Sequence, residues 1–143
     1  MTDPELAAHL AETTGRILLE VRASGVFSQK ALGKAGDLTA NQFLVHALRE
    51  QRPEDGLLSE EMKCDGARLG QSRVWIVDPV DGTREYGEGR ADWAVHVALA
   101  IDGVAAVGAV ALPGLDAVLR SDRPVALPPT GSPLRMVVSR TRP

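Results

Sequence analysis

At 143 residues, 44% apolar and 24% charged, the chain has the size and composition of one soluble globular domain or one piece of a larger protein. A net charge of −3 with no basic block excludes a nucleic-acid polymer as the expected partner, and no run approaches the roughly 18 apolar residues of a membrane helix. The opening "MTDPELAAHL" carries acids where a secretory signal needs basic residues, and the single cysteine, Cys64, has no internal partner for a disulfide; a cytoplasmic protein is expected.

With two Trp, one Tyr and two Phe, the core must be built mainly from Val, Leu, Ile and Ala. Asp3 and Pro4 look like an N-cap and a first-turn proline, followed by Leu6, Leu10, Ile17, Leu18 and Val21 at helical spacing as far as Gly25. "FSQKALGKAG" (Phe27 to Gly36) reads as a loop because of its small and flexible residues. Asp37 then opens a second helical pattern through Leu38, Phe43, Leu44, Ala47 and Leu48 to about Gln51, and Pro53 stops it. "DGLLSEE" (Asp55 to Glu61) reads as a turn and a short strand, and "MKCDGARLGQS" as a loop.

Val74 to Val77 is a short apolar strand. Pro79 to Ala91 does not read as strand, having a proline, three glycines and alternating charges. "WAVHVALAIDGVAAVGAVALPG" (Trp93 to Gly114) predicts a hairpin turning at Asp102-Gly103. Asp116 to Arg120 suits a third strand, and "DRPVALPPTGSP" a proline-rich linker. "RMVVSR" (Arg135 to Arg140) predicts one more strand. The predicted class is α+β: two N-terminal helices packed on a mainly antiparallel sheet. Residues 1–133 are expected to form this domain, and 134–143 the first strand of a further, C-terminal domain.

The chemistry concentrates in "VWIVDPVDGT" (Val74 to Thr83). Two carboxylates about 4 Å apart repel by about 4 kcal/mol at an effective dielectric near 20. A shared proton or a cation relieves that repulsion. Hard divalent cations such as Mg²⁺ take oxygen ligands and keep several waters. Pro79 stiffens the turn between Asp78 and Asp81, and the Val80 carbonyl is a third oxygen. Gly82 and Thr83 open "TREY", one helical turn whose free amides favour a phosphate. A carboxylate pair beside an anion-binding turn suits a phosphate ester. "SEE" (Ser59 to Glu61) joins this group only if its strand lies beside Val74 to Val77.

"DPVDGT" resembles the DP-[aliphatic]-DG-[ST] signature of the lithium-sensitive, Mg²⁺-dependent phosphomonoesterases of the inositol monophosphatase superfamily. "LLSEE" resembles their upstream acidic motif, and "VWIVDPVDGTREY" keeps the wider context. The resemblance runs from the first helix to the final "VVSRTRP". It implies the N-terminal half of an αβαβα sandwich, with Glu60, Asp78, Asp81 and the Val80 carbonyl as metal ligands. It assigns Gly82 and Thr83 to the phosphate, and Thr83, Asp37 and Glu60 to the attacking water; Glu61 is not expected as a ligand. Two or three Mg²⁺ ions and inhibition by Li⁺ are implied.

"DGTREY" and "LSEE" are closest to the 3′(2′),5′-bisphosphate nucleotidase branch. The implied reaction is hydrolysis of adenosine 3′,5′-bisphosphate, or its sulfated form, to the 5′-nucleotide and phosphate by a metal-activated water, within sulfur assimilation. Inositol-1-phosphate and fructose-1,6-bisphosphate are alternatives within the family. Arg84 and His96 are expected as a surface arginine and a strand-face histidine, and Trp75 and Trp93 as packing anchors. The family's further acid, in a Trp-Asp motif, has no counterpart here: the two tryptophans precede Ile76 and Ala94. Either a C-terminal half completes the enzyme, or the chain is an inactive metal- and phosphate-binding fragment. Self-association as a homodimer is also open.

Overall fold

The computed structural model describes residues 1–61, 70–126, 129, 131 and 133. Cys64, the strand expected at Arg135 to Arg140 and the domain expected at 134–143 lie outside the described residues. No helix among the described residues is long and apolar enough to cross a membrane.

The first helix, α1, spans Asp3–Ala23, with Thr2 rather than Asp3 at its N-cap. The Thr2 backbone N–H donates to the Glu5 side chain at 2.9 Å, closing the start of the helix. Asp3 is thereby free to accept from Arg52 and Arg73, both at 2.9 Å. The second helix, α2, spans Gln29–Gln51, so the expected loop over Phe27 to Gly36 is mostly helix. Its glycines are points of close approach rather than breaks. A Cβ at Gly36 would lie 2.5 Å from the Tyr86 ring, and one at Gly33 would lie 3.0 Å from the Thr83 side chain.

Five strands follow in spatial order β1-β2-β3-β4-β5: Gly56–Ser59, Arg73–Asp81, Ala94–Ile101, Val104–Leu112 and Ala117–Arg120. β1 runs parallel to β2, and every other pairing is antiparallel. The hairpin turns at Asp102 and Gly103 as expected, both with positive φ. A short helix, α3, spans Thr83–Gly87. β2 is nine residues long and does not end at Val77. It passes through Pro79 because two residues of β2, Pro79 and Val80, face the single Val95 of β3 between Asp78↔His96 and Asp81↔Ala94. In such a bulge the ladder lapses, and the missing proline N–H costs nothing.

Both long helices pack on one face of the sheet. Leu6, Leu10, Leu18, Leu44 and Leu48 meet Trp75, Val77, Val95, Val97, Leu99, Ala109 and Ala111 in one core. Trp75 and Trp93 are both buried, as expected of anchors. The alternate residues of the strands, including Ile76, Asp78, His96 and Ala98, face the other way. Ile76 there is 41% exposed.

Two clusters lock the elements together. Arg73 makes a two-pronged pair with Asp55 at 2.9 and 3.0 Å, and Trp75 Nε1 donates to the same carboxylate at 2.8 Å. Through Asp3 and Arg52 this network joins the start of α1, the end of α2 and the start of β2. At the other end Tyr86 is buried, donates its hydroxyl to the Leu18 carbonyl at 2.8 Å and meets Trp93 edge to face at 4.9 Å. Arg22 lies 5.8 Å from the Tyr86 ring and 5.7 Å from the Trp93 ring.

Gly36→Ala tests the notch. In an unobstructed helix the change would stabilise by about 1 kcal/mol. Here the added methyl meets Tyr86, and overpacking costs about 1–3 kcal/mol, so a net loss is expected as a lower urea midpoint. An equal or higher midpoint would show that Tyr86 does not fill the notch.

Candidate functional site

The site begins with strand direction. β1 and β2 are parallel and in register at Ser59↔Val77, so Glu60, where β1 ends, emerges beside Asp78, which β2 carries on into its bulge. That pairing meets the condition on which Glu60 joins the group. The buried Ser59 donates its hydroxyl to Asn41 Oδ1 of α2 at 2.6 Å, which pins the end of β1 to the helix. The bulge then re-aims the chain between Asp78 and Asp81, and the Val80 N–H donates to the Asp78 carboxylate.

Gly82 turns the chain with φ 90° and ψ 42°, a left-handed conformation that favours glycine. A Cβ there would also meet the Asp92 carbonyl and Trp93 at 3.3 Å. The turn starts α3 at Thr83, and Tyr86 anchors that helix. Its first amides have no acceptor within the helix.

Asp37 does not open α2, contrary to what its place in the helical pattern predicted. It lies well inside α2, on a face that the close approach at Gly33 brings to Thr83. The Thr83 hydroxyl lies 3.0 Å from the Val80 carbonyl and 3.3 Å from Asp37 Oδ1. Its single proton serves one acceptor at a time. The Val80 carbonyl, with two lone pairs, retains acceptor capacity when Thr83 takes one.

The electrostatics of the acids are unfavourable as they stand. Burial pushes the Asp37 carboxyl up to about 6, against the Thr83 hydrogen bond, and Glu61, Asp78 and Glu60 add repulsion in the same direction. Burial also raises Asp78, with Glu60 and Asp81 adding to it and His96 and the Val80 N–H opposing. Asp81 is exposed and lies 3.0 Å from His96 Nε2 through its Oδ2. Five carboxylates thus bear on one strand end. Oxygen donors crowded against like charges, as Asp37 and Asp78 are, suit a hard divalent cation. Among the described residues no three acids, histidines or cysteines are grouped closely enough to hold an ion by themselves. A cation here therefore takes carboxylates in smaller number and fills its shell otherwise, as Mg²⁺ does with water.

All the sequence-predicted residues, Asp37, Glu60, Asp78, Val80, Asp81, Gly82 and Thr83, come to this edge. Arg84 points elsewhere, 2.9 Å from Glu88. Sequence reasoning missed three neighbours. Lys30, Lys34 and Asn41 line a cavity of about 390 Å³ with Asp37, Leu38, Glu61 and Thr83. The i, i+4, i+11 spacing would have placed them on one helix face had α2 been extended to Gln29. His96 is on a strand face as expected, but its ring also reaches Asp81.

A pH dependence follows for the metal-free protein. An aspartate ionises near 3.9 when unfolded and Asp37 near 6 when folded, so between these values the folded chain binds more protons. Its contribution to stability is fully present below about pH 4 and lost as pH rises through about 6. Asp37→Asn is expected to flatten that fall in urea midpoints and to raise stability at pH 7. Identical slopes in the two proteins would show that Asp37 ionises normally.

Comparison with known proteins gives the family. A family model described as the inositol monophosphatase family matches residues 6–124. A "3'-phosphoadenosine 5'-phosphate phosphatase" of Mycobacterium leprae is 48% identical, with 100% of this chain and 58% of that protein aligned. A "Histidinol-phosphatase" of Chlorobaculum parvum is 31% identical over 94% of this chain and 53% of its own length. The chain spans about half the length of the curated relatives it matches. Among solved structures, inositol monophosphatase-II of Staphylococcus aureus has a TM-score of 0.75 at 22% identity, with 82% of this chain and 45% of that one covered, which shows the shared fold. With the family model matched across most of its length, the chain belongs to the inositol monophosphatase family.

Proposed function

We propose that this chain carries the metal and phosphate site of a phosphomonoesterase that hydrolyses adenosine 3′,5′-bisphosphate, or its sulfated form, to the 5′-nucleotide and phosphate, in a cytoplasmic setting within sulfur assimilation. The observation that carries the reaction class is the convergence of Glu60, Asp78 and Asp81 beside the Asp37–Thr83 contact, where burial and then the neighbouring carboxylates push Asp37 and Asp78 up. The substrate choice is supported by relatives at 48% and 49% identity, both named 3'-phosphoadenosine 5'-phosphate phosphatase.

In this reading Glu60, Asp78, Asp81 and the Val80 carbonyl share two or three Mg²⁺ ions, each taking one or two carboxylates and filling its shell with water. When bound, the cation offsets phosphoryl charge and lowers the pKa of water. The chain's own groups do the rest. The amides of Gly82 and Thr83 bind the phosphate at the start of α3. Asp37 orients the Thr83 hydroxyl, and that hydroxyl, with Glu60, positions the attacking water. The closest contact to the Thr83 hydroxyl is the Val80 carbonyl at 3.0 Å, so one residue pair couples the metal side of the site to the water side. Lys30 and Lys34 line the same cavity and bring positive charge near an anionic substrate.

The test is phosphate release from adenosine 3′,5′-bisphosphate, inositol-1-phosphate, fructose-1,6-bisphosphate and histidinol phosphate, with and without Mg²⁺, and with Asp81→Asn as control. Release that requires Mg²⁺, falls by about 100-fold or more in the control (loss of about 2.7 kcal/mol or more of transition-state stabilisation) and favours the nucleotide is expected. A preference for histidinol phosphate would move the chain toward the 31%-identical relative. No release above the control from any substrate would overturn the claim that this chain is an enzyme as it stands.

A further inference from the structure

We propose that His96 is a positioning residue for the metal site: its imidazole holds Oδ2 of Asp81 so that the other carboxylate oxygen is left to the cation. The inference rests on the metal reading above. Asp81 sits just past the bulge of β2 and its side chain is 61% exposed. Left alone, an exposed carboxylate at a strand end rotates freely, and ordering it on binding an ion costs entropy. His96 removes that freedom in advance. Its Nε2 lies 3.0 Å from Asp81 Oδ2, and an Nε2–H there donates to the carboxylate.

The geometry that allows the contact is specific to this sheet. His96 pairs with Asp78 across β2 and β3, and Asp81 pairs with Ala94. The extra residue in the bulge brings the second acid back within reach of the same ring. On its other side His96 faces Val110 of β4, which offers no side-chain acceptor. Asp81 is the ring's one hydrogen-bond partner among the described residues. A histidine placed only to fill a strand face would have no bearing on ion binding. A carboxylate ligand fixed by a neighbouring donor does, and loss of such outer partners typically costs about 10–100-fold in metal affinity.

The experiment measures Mn²⁺ affinity by electron paramagnetic resonance on the full chain, with wild type, His96→Leu, His96→Gln and Asp81→Asn compared. Urea midpoints without metal confirm that each variant is folded. His96→Leu is expected to weaken Mn²⁺ by about 10-fold or more, and His96→Gln, whose amide N–H replaces Nε2–H, to recover most of that loss. If Asp81→Asn loses Mn²⁺ while both His96 variants match wild type, the metal site stands and the role of His96 falls. If Leu and Gln lose Mn²⁺ equally, His96 acts other than as a donor to Asp81 and the proposal is overturned. If Asp81→Asn binds as wild type does, the metal reading fails and the proposal with it.

Discussion

The acidic end of this protein depends on one pairing: β1 lies parallel to β2, with Ser59 opposite Val77. In an antiparallel pair the strand ends would leave in opposite directions, and Glu60 would be carried away from Asp78. In the parallel pair both chains exit at the same edge, a place where ligands collect in open sheets with parallel strands. Ser59 fixes the exit of β1 by its bond to Asn41, and the bulge fixes the exit of β2. The carboxylates are then brought together by backbone geometry, against their mutual repulsion.

The second half of the site is delivered by absent side chains. Gly33 and Gly36 are three apart and so lie on neighbouring positions of one face of α2. That face receives Thr83 and Tyr86 of α3. Any larger residue would hold the two helices apart and open the 3.3 Å contact between Asp37 and the Thr83 hydroxyl. Gly87 works in the same way from α3, since a Cβ there would lie 2.5 Å from the Gln29 carbonyl. The weak helix propensity of the segment before Asp37 is therefore overridden by packing, with the buried Tyr86 as the wedge that α2 closes on.

This explains what was legible in the sequence and what was not. "DPVDGT", "LLSEE", the hairpin at Asp102-Gly103 and the two-helix start all express local rules, and the structure has each of them in place. The errors fall where a local rule lost to a partner distant in sequence. Gly33 and Gly36 read as breaks because Thr83 and the Tyr86 ring, which need them, are some fifty residues on. Asp37 looked like the start of the helix for the same reason. Pro79 looked like the end of a strand because the bulge that tolerates it depends on the register with β3. His96 read only as a strand-face residue, since its contact with Asp81 arises from that same bulge.

The framework and the acids are held by different forces, and this lets the site carry its charge. Asp3, Arg52, Asp55, Arg73 and Trp75 tie one end of the molecule, and Tyr86, Trp93 and Arg22 tie α3 to the long helices. None of the candidate ligands takes part in either cluster. Neutralising an acid thus relieves repulsion without removing a support, and the apo fold gains from changes that a cation-binding site would lose by. A sequence shaped for stability alone would not half-bury Asp37 and Asp78 among other carboxylates when asparagine would fill the same space. Their presence at the shared exit of two parallel strands is the strongest physical sign that the site is built for a positively charged occupant.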